Sequence, residues 1–452
     1  MDIPFSLNPL SRLGIGVQNT VRKAVGDAPF DTSALRVDIP DGRAAARIRE
    51  GVHALARAVS FPFGYRLRTR WAPAAKGGRT STRSLDAILA SLAVRYYNPA
   101  LALDIVRPFF LNQTIEGMIP NAVSPMSISL HHASPLILMP VIQSHVIAPD
   151  PETLKYCYNR ALKFSDWLAV RKKRDDGFFY PAGGEDLRAF RAFGPGLRPG
   201  AGLEDTIHVG MNCVQIILYR ELSRAALLLE SPREARKFRA RARKLSRLLL
   251  DRAWDPERGD LFNVVGEKRA DEPSPVGFLA LPAEVVSRQQ AKALMESALK
   301  NPRLPQPRDT GHAMMLFLLL AGMEKYGFRA EAGALAHEAL KNITGTAAAE
   351  APRDNFFIAA AALPLLLQHI VGYHPFRDRV VLAPALPEAW KGRAVTVRDR
   401  IIDRNVSLTL LEGNRVKCQL RAIGCAAGRA DVETEIENHK FRNFVFEEPK
   451  KD

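Results

Sequence analysis

From Arg43 to Val59 the apolar residues Ile48, Val52, Leu55 and Val59 recur at helical spacing, and from Leu85 onward similar segments follow one another. The spacing predicts helices near 84–98, 100–113, 133–147, 152–173, 208–230, 232–252, 274–281, 288–300, 310–326, 329–343 and 355–371. Most fall in pairs joined by short turns that carry Pro or Gly: Asn98-Pro99, Pro149-Asp150-Pro151, Ser231-Pro232 and Tyr326-Gly327. Helical hairpins are therefore the expected unit. Within the pairs one helix is often apolar nearly all round, as in AMMLFLLLAGM or FFIAAAALPLLL, while its neighbour is amphipathic and heavily charged. That asymmetry predicts two concentric layers, a toroid of hairpins; a single-layer solenoid would leave both helices half exposed, and no fixed-period repeat supports one. Beyond Tyr373 the pattern changes to alternation. Val406, Leu408 and Leu410 face one way, Glu412-Gly413-Asn414 turns the chain, and Val416, Cys418 and Leu420 answer, which predicts a small antiparallel β module.

Composition adds bounds. The chain has 452 residues, 47% hydrophobic and 25% charged, which excludes both disorder and a tiny stapled domain. Lys and Arg outnumber Asp and Glu by 64 to 48, a formal charge of +16. Such a balance attracts acidic partners in general and says nothing about fold. The helix from Arg233 to Arg247 holds eight of the basic residues and one acid, but Ala235, Phe238, Ala242, Leu245 and Leu249 form an apolar stripe, so the charges belong to the outward face of an outer helix. Nucleic-acid binding would want aromatic residues interleaved with those charges, and Phe238 belongs to the stripe, so a basic scaffold for acidic partners ranks last among the readings. The four cysteines, Cys157, Cys213, Cys418 and Cys425, lack the paired spacing of a zinc or redox site. Pro4, Pro9 and Arg12 interrupt any apolar leader, and the most apolar windows fall short of the about 20 residues that span a bilayer, so the expected location is cytoplasmic, with no membrane partner.

Two irregular segments concentrate the chemistry. Asp175 to His208 holds seven glycines and six carboxylates, and Thr344 to Asn355 holds Glu350 and Asp354. Long loops inside a compact domain usually carry function. No phosphate loop, His-Glu-x-x-His or Gly-x-Ser-x-Gly motif occurs, and the glycines at Gly194, Gly196 and Gly200 follow no predicted strand, which argues against nucleotide binding.

Over roughly residues 80 to 375 the sequence resembles the six-hairpin glycosidases, in the branch of processing α-glucosidases, trehalases, mannosylglycerate hydrolases and debranching glucosidases. The resemblance lies in LDAILASLAVRYYNPALALDIVRPFF, GMIPN, HASPLILMPVIQ, NCVQIILYRELSRAALLLE, RAWDPERGDLFNVVG and GHAMMLFLLLAGMEKYGF, in that order. HPFRDRVVLAPALPEAW is similar to the β cap of rhamnosidase-like proteins. The resemblance implies an all-α (α/α)6 toroid with a small C-terminal antiparallel β module. The expected divisions are an N-terminal arm at 1–42, the toroid at 43–375, the β module at 376–447 and a tail at 448–452.

It also implies cleavage of an α-linked saccharide with inversion. One carboxyl protonates the departing oxygen and another activates water on the opposite sugar face, about 6.5 to 9.5 Å away, so no cofactor and no metal is expected. Ala201-Gly202-Leu203-Glu204-Asp205 is similar to the motif of the family's acid: Glu204 takes the aligned place and Asp205 is the alternate. Glu350 is the best match for the base, with Asp354 behind it, and Asp86 matches the family's sugar-binding Asp. His208, Arg308 and His312 are further candidates for the mouth, Trp71 and Phe179 for the ring on which a sugar rests. Bland readings stand beside these. Asp205, Asp354 and Asp86 all sit where a helix start takes an acidic or capping residue. The sequence also departs from the family: Leu85 replaces a Trp, Gly210 an Asp, and Arg308-Asp309-Thr310-Gly311-His312 stands for an Arg-Gly-x-x-Trp element. The expected partner is a small oligosaccharide or glycoside. A toroid of the same descent that binds a glycan without cleaving it is the alternative.

Overall fold

The computed structural model describes residues 30–74, 80–180, 206–274, 276–300, 309–345, 360–423 and 432–445. Ten α-helices have both ends among the described residues. They are α1 (Gly42–Ala58), α2 (Ser84–Val94), α3 (Pro99–Leu111), α4 (Met139–His145), α5 (Pro151–Arg171), α6 (Val209–Leu228), α7 (Pro232–Ala253), α8 (Arg288–Lys300), α9 (Thr310–Lys325) and α10 (Arg329–Gly345). Local chemistry starts them where the pattern predicts. Asp41, Asn98, Asp150 and Asp309 each accept a hydrogen bond from a backbone N–H of the first turn, at 2.9 to 3.0 Å. Pro99, Pro151 and Pro232 occupy the first turn, where a missing N–H costs nothing.

Two expected helices take other forms. The segment around 274–281 forms only a 3₁₀ turn, Gly277–Ala280, because Pro282 cannot continue a helix past it. The last apolar segment is helical from residue 360 and widens into a π-helix at Leu365–Ile370, directly after Pro364, whose ring and missing N–H disturb the α ladder.

The helices sort into two kinds by burial. All residues of α2 are buried, as is most of α6 and α9, whereas α5 and α7 bury a single face. The buried elements contact one another in sequence order. Helix α2 meets Pro135–Leu138 and α4, Pro135–Leu138 meets α6, α6 meets Gly277–Ala280, and that turn meets α9. Helix α9 then touches both Leu365–Ile370 and α2, so the series returns to its start. Among the half-exposed helices, α10 packs on α1. None of the helices among the described residues is long and apolar enough to cross a membrane.

After Tyr373 the chain is β-structured. A five-stranded antiparallel sheet runs in the order Leu35–Asp38, Ala394–Asp399, Arg404–Leu410, Arg415–Ala422, Val432–Glu437. Its central register pairs Val406 with Leu420, Leu408 with Cys418 and Leu410 with Val416, all buried, which is the alternation read from the sequence. Its first strand comes from the amino-terminal arm, where four residues are too few for a period to show. A smaller sheet joins Arg442–Val445, Arg379–Leu382 and Tyr373–Pro375.

Buried polar contacts fasten this β part to the helices. Arg329 is 2% exposed, pairs with Glu324 and donates to the carbonyls of Gln368 and Ala383. His369 Nδ1 lies 2.7 Å from Glu324, and the Tyr373 hydroxyl donates to Asp399 at 2.8 Å. Gly372 links the two parts at φ +70°, and a Cβ there would overlap the backbone of Ala383. Gly372→Ala is therefore expected to lower unfolding stability by about 3 kcal/mol or more, combining positive-φ strain with overpacking. Denaturant titration of variant and parent, followed by circular dichroism, measures the difference.

Candidate active site

Short turns join α2 to α3, α4 to α5, α6 to α7 and α9 to α10, so those pairs are antiparallel hairpins. Longer connections lead from each less buried helix to the next buried element. They are residues 59–83, 112–134, 172–208, 254–276, 301–309 and 346–359. The residues singled out by sequence fall in these connections or in the first turn of the element that follows.

Glu204, Asp205, Arg308, Glu350 and Asp354 lie outside the described residues. The structure does describe what holds the segments around several of them. Directly after Asp205, Thr206–Ile207 pairs with Val264–Val265. His208 then caps α6, its Nδ1 accepting from the Met211 N–H at 3.1 Å, and Asn263 accepts from the Val209 N–H at 3.0 Å. The cap of this helix is thus His208. His208 is 1% exposed, and burial holds its pKa down at about 4, so near neutral pH the imidazole is an uncharged cap.

Asn212, in the first turn of α6, clamps the start of the same connection. Its Oδ1 accepts from the Phe179 N–H at 2.9 Å, and its Nδ2 donates to the Phe179 carbonyl at 3.1 Å and to that of His208 at 3.0 Å. Both ends of the segment 180–206 are therefore tied to one helix start. Neither Asn212 nor Asn263 stood out in the sequence. A paired amide at a helix start follows no motif, and only the long connection before it signals a need for anchoring.

Asp86 sits in the first turn of α2, 7% exposed, where the helix dipole favours a carboxylate. Beside it Ser84 Oγ donates to Asn121 Oδ1 at 2.6 Å, and Thr82–Arg83 pairs with Ala122–Val123, so the first and second connections are joined at this turn. At the start of α9, Asp309 accepts from the His312 N–H at 3.0 Å and lies 2.9 Å from its Nδ1, which holds the imidazole at the helix end.

The expected aromatic platforms need correction. Trp71 is 0% exposed and donates its indole N–H to the Phe61 carbonyl, and Phe179 is 1% exposed. Both rings are packing residues with no face left for a sugar. An exposed ring does stand in the first connection. Tyr65 lines a cleft of about 490 Å³ with Asn112, Gln113, Thr114 and Glu116 from the end of α3 and the second connection, and the Arg68 guanidinium lies 4.7 Å from its ring centre. Sequence reasoning missed it because Tyr65 belongs to no periodic segment. Among the described residues no three His, Cys, Asp or Glu side chains converge as metal ligands.

Two measurements check these anchors. Asn212→Ala leaves buried peptide groups of Phe179 unpaired and is expected to cost about 2 kcal/mol of stability, read from denaturant unfolding. The pKa of His208 falls from an ordinary 6.5 to about 4 on folding. Between those pH values the unfolded chain binds a proton that the folded chain refuses. Stability contributed at this site is thus complete above about pH 6.5 and declines toward pH 4, by up to about 3 kcal/mol. His208→Asn retains a capping acceptor that does not titrate, so its stability should fall less steeply than the parent's over that window.

Residues 195–309 match the family model described as the mannosylglycerate hydrolase MGH1-like glycoside hydrolase domain. No curated protein sequence matches the chain. Among solved structures, a GH63 mannosylglycerate hydrolase from Thermus thermophilus in complex with glucose superposes with a TM-score of 0.54 at 18% identity, covering 70% of this chain and 98% of that one. Neutral trehalase from Saccharomyces cerevisiae gives a TM-score of 0.51 at 15% identity, over 66% of this chain and 73% of its own. A GH78 family rhamnosidase of Bacillus gives a TM-score of 0.57 at 13% identity, over 87% of this chain and 42% of its own. The resemblance read from the sequence therefore holds: the chain has the fold of these glycoside hydrolases, and its residues 195–309 are similar to the mannosylglycerate hydrolase MGH1-like glycoside hydrolase domain.

Proposed function

We propose that the chain is an (α/α)6 toroid that hydrolyses a small α-linked saccharide with inversion. Six buried elements, α2, Pro135–Leu138 with α4, α6, Gly277–Ala280, α9 and the helix ending at Ile370, alternate with α1, α3, α5, α7, α8 and α10, and the contact from α9 back to α2 supports a closed ring. The amino-terminal arm, the toroid and the β module then divide the chain as read from the sequence, with the strand Leu35–Asp38 lent by the arm to the sheet.

One observation carries the functional reading: long connections alternate with the buried elements, and they contain Glu204, Asp205, Glu350 and Asp354, which a closed toroid gathers at one end. In this reading Glu204, with Asp205 as the alternate, protonates the leaving oxygen. Glu350 takes a proton from the attacking water. An acid and a base need only that water between them, about 6.5 to 9.5 Å from carboxyl to carboxyl. Asp86 accepts hydrogen bonds from sugar hydroxyls. Arg308, His312 and Asp354 line the mouth, and His208 acts through the helix cap beside the acid. Tyr65 replaces the buried Trp71 and Phe179 as the ring on which a sugar rests.

Sugar release from a panel of α-glucosides, α-mannosides and trehalose tests the proposal. Hydrolysis of at least one substrate is expected. Glu350→Gln should then lower kcat at least about 1000-fold, and Glu204→Gln or Asp205→Asn should do the same for whichever is the acid, consistent with the about 10²–10⁴-fold typical of general acid–base groups. Full activity in Glu350→Gln would remove it as the base. Measurable glycan affinity without release of any sugar would favour a binding protein of the same fold.

A further inference from the structure

A second cavity, lined by none of the candidate site residues, lies between the strand Leu35–Asp38 and α1. Its volume is about 410 Å³, within the range of small-ligand pockets. The floor is apolar, with Ile48 and Val52 of α1, Tyr97 after α2, and Leu366 of the last buried helix. The rim is basic. Arg36, Arg49, Arg398 and Arg400 all line it, together with His53.

The way the rim is built makes this concentration unusual. The strands Leu35–Asp38 and Ala394–Asp399 pair so that Arg36 stands directly opposite Arg398. Like charges at facing positions of an antiparallel pair are destabilising, and opposite charges are the stabilising choice. Arg400 follows two residues later on the same face. Asp38 answers Arg36 at 2.8 Å, and Asp31 approaches Arg400 at 4.0 Å. Arg49 and Arg398 form no ion pair among the described residues, and two guanidinium groups on one cavity are left to meet something negative. Guanidinium forks match carboxylate and phosphate oxygens in geometry as well as charge.

We propose that this cavity binds an organic anion, a phosphate monoester or carboxylate whose head lies among Arg49, Arg398 and Arg400 and whose apolar body rests on Ile48, Val52 and Leu366. None of its lining residues belongs to the proposed glycosidase site, and the proposal is independent of that reading. Its walls come from the arm strand, α1, the sheet and the last buried helix, so an occupant would join the β part to the helical part.

Calorimetric titration of the full chain with 1-naphthyl phosphate tests it, with inorganic phosphate and 1-naphthol as the head-only and body-only probes. Saturable one-site binding of 1-naphthyl phosphate is expected, at least tenfold tighter than either partial probe. Arg49→Ala and Arg398→Ala, both exposed and outside the core, should each weaken it at least tenfold, while Arg243→Ala on the exposed face of α7 should leave it unchanged. Absence of saturable binding overturns the proposal. So does inorganic phosphate or 1-naphthol binding as tightly as the ester, or an equal loss in Arg243→Ala, which would reduce the effect to general charge.

Discussion

Every residue of α2 is buried, and α9 presents apolar side chains in all directions over most of its length. A helix of that kind has no face to give to water and is stable only when surrounded. Neighbouring helices supply the surround, and α7 does so through a single stripe of Ala235, Phe238, Ala242, Leu245 and Leu249. Burial of the inner elements thus dictates the two layers. The two kinds of helix alternate along the chain, and the longer connections fall between one hairpin and the next.

Rigid attachment of those connections follows from polar contacts that have no catalytic chemistry of their own. Asn212 and His208 fix both flanks of the segment that contains Glu204 and Asp205, and Ser84 with Asn121 fixes the turn that carries Asp86. A reacting carboxyl held on a loose loop would lose the advantage of orientation. Charge is unevenly spread along the chain. Basic side chains crowd the outward face of α7 and the cavity of Arg36, Arg49, Arg398 and Arg400, whereas the sequence segments 175–208 and 344–355 hold more carboxylates than basic residues.

Periodicity made the helical body legible because long segments average over many residues. Each of the helices α1 to α10 overlaps a segment whose apolar spacing predicts it, most to within a residue or two at the start, and the hairpin Arg404–Leu410 with Arg415–Ala422 follows its alternation residue for residue. Features governed by single residues escaped. Pro282 cut one expected helix to a 3₁₀ turn, Pro364 widened another, and the strand Leu35–Asp38 is too short to carry a period. The aromatic assignments failed for a related reason. Trp71 and Phe179 sit in irregular segments, where sequence alone does not tell a ring that packs from a ring that faces solvent, and the exposed one is Tyr65. The helix cap at His208 was equally hidden, since a histidine is an uncommon cap and Asp205 a more familiar one.

The stereochemistry of the first product bears most directly on the account, because two carboxyls separated by a water can deliver only one outcome. Proton NMR of the anomeric signals, recorded during hydrolysis of an α-linked substrate and before mutarotation, resolves it. The account predicts that the β-anomer of the released sugar forms first. An α-anomer as the first product, or no sugar released from any α-linked substrate, would contradict it.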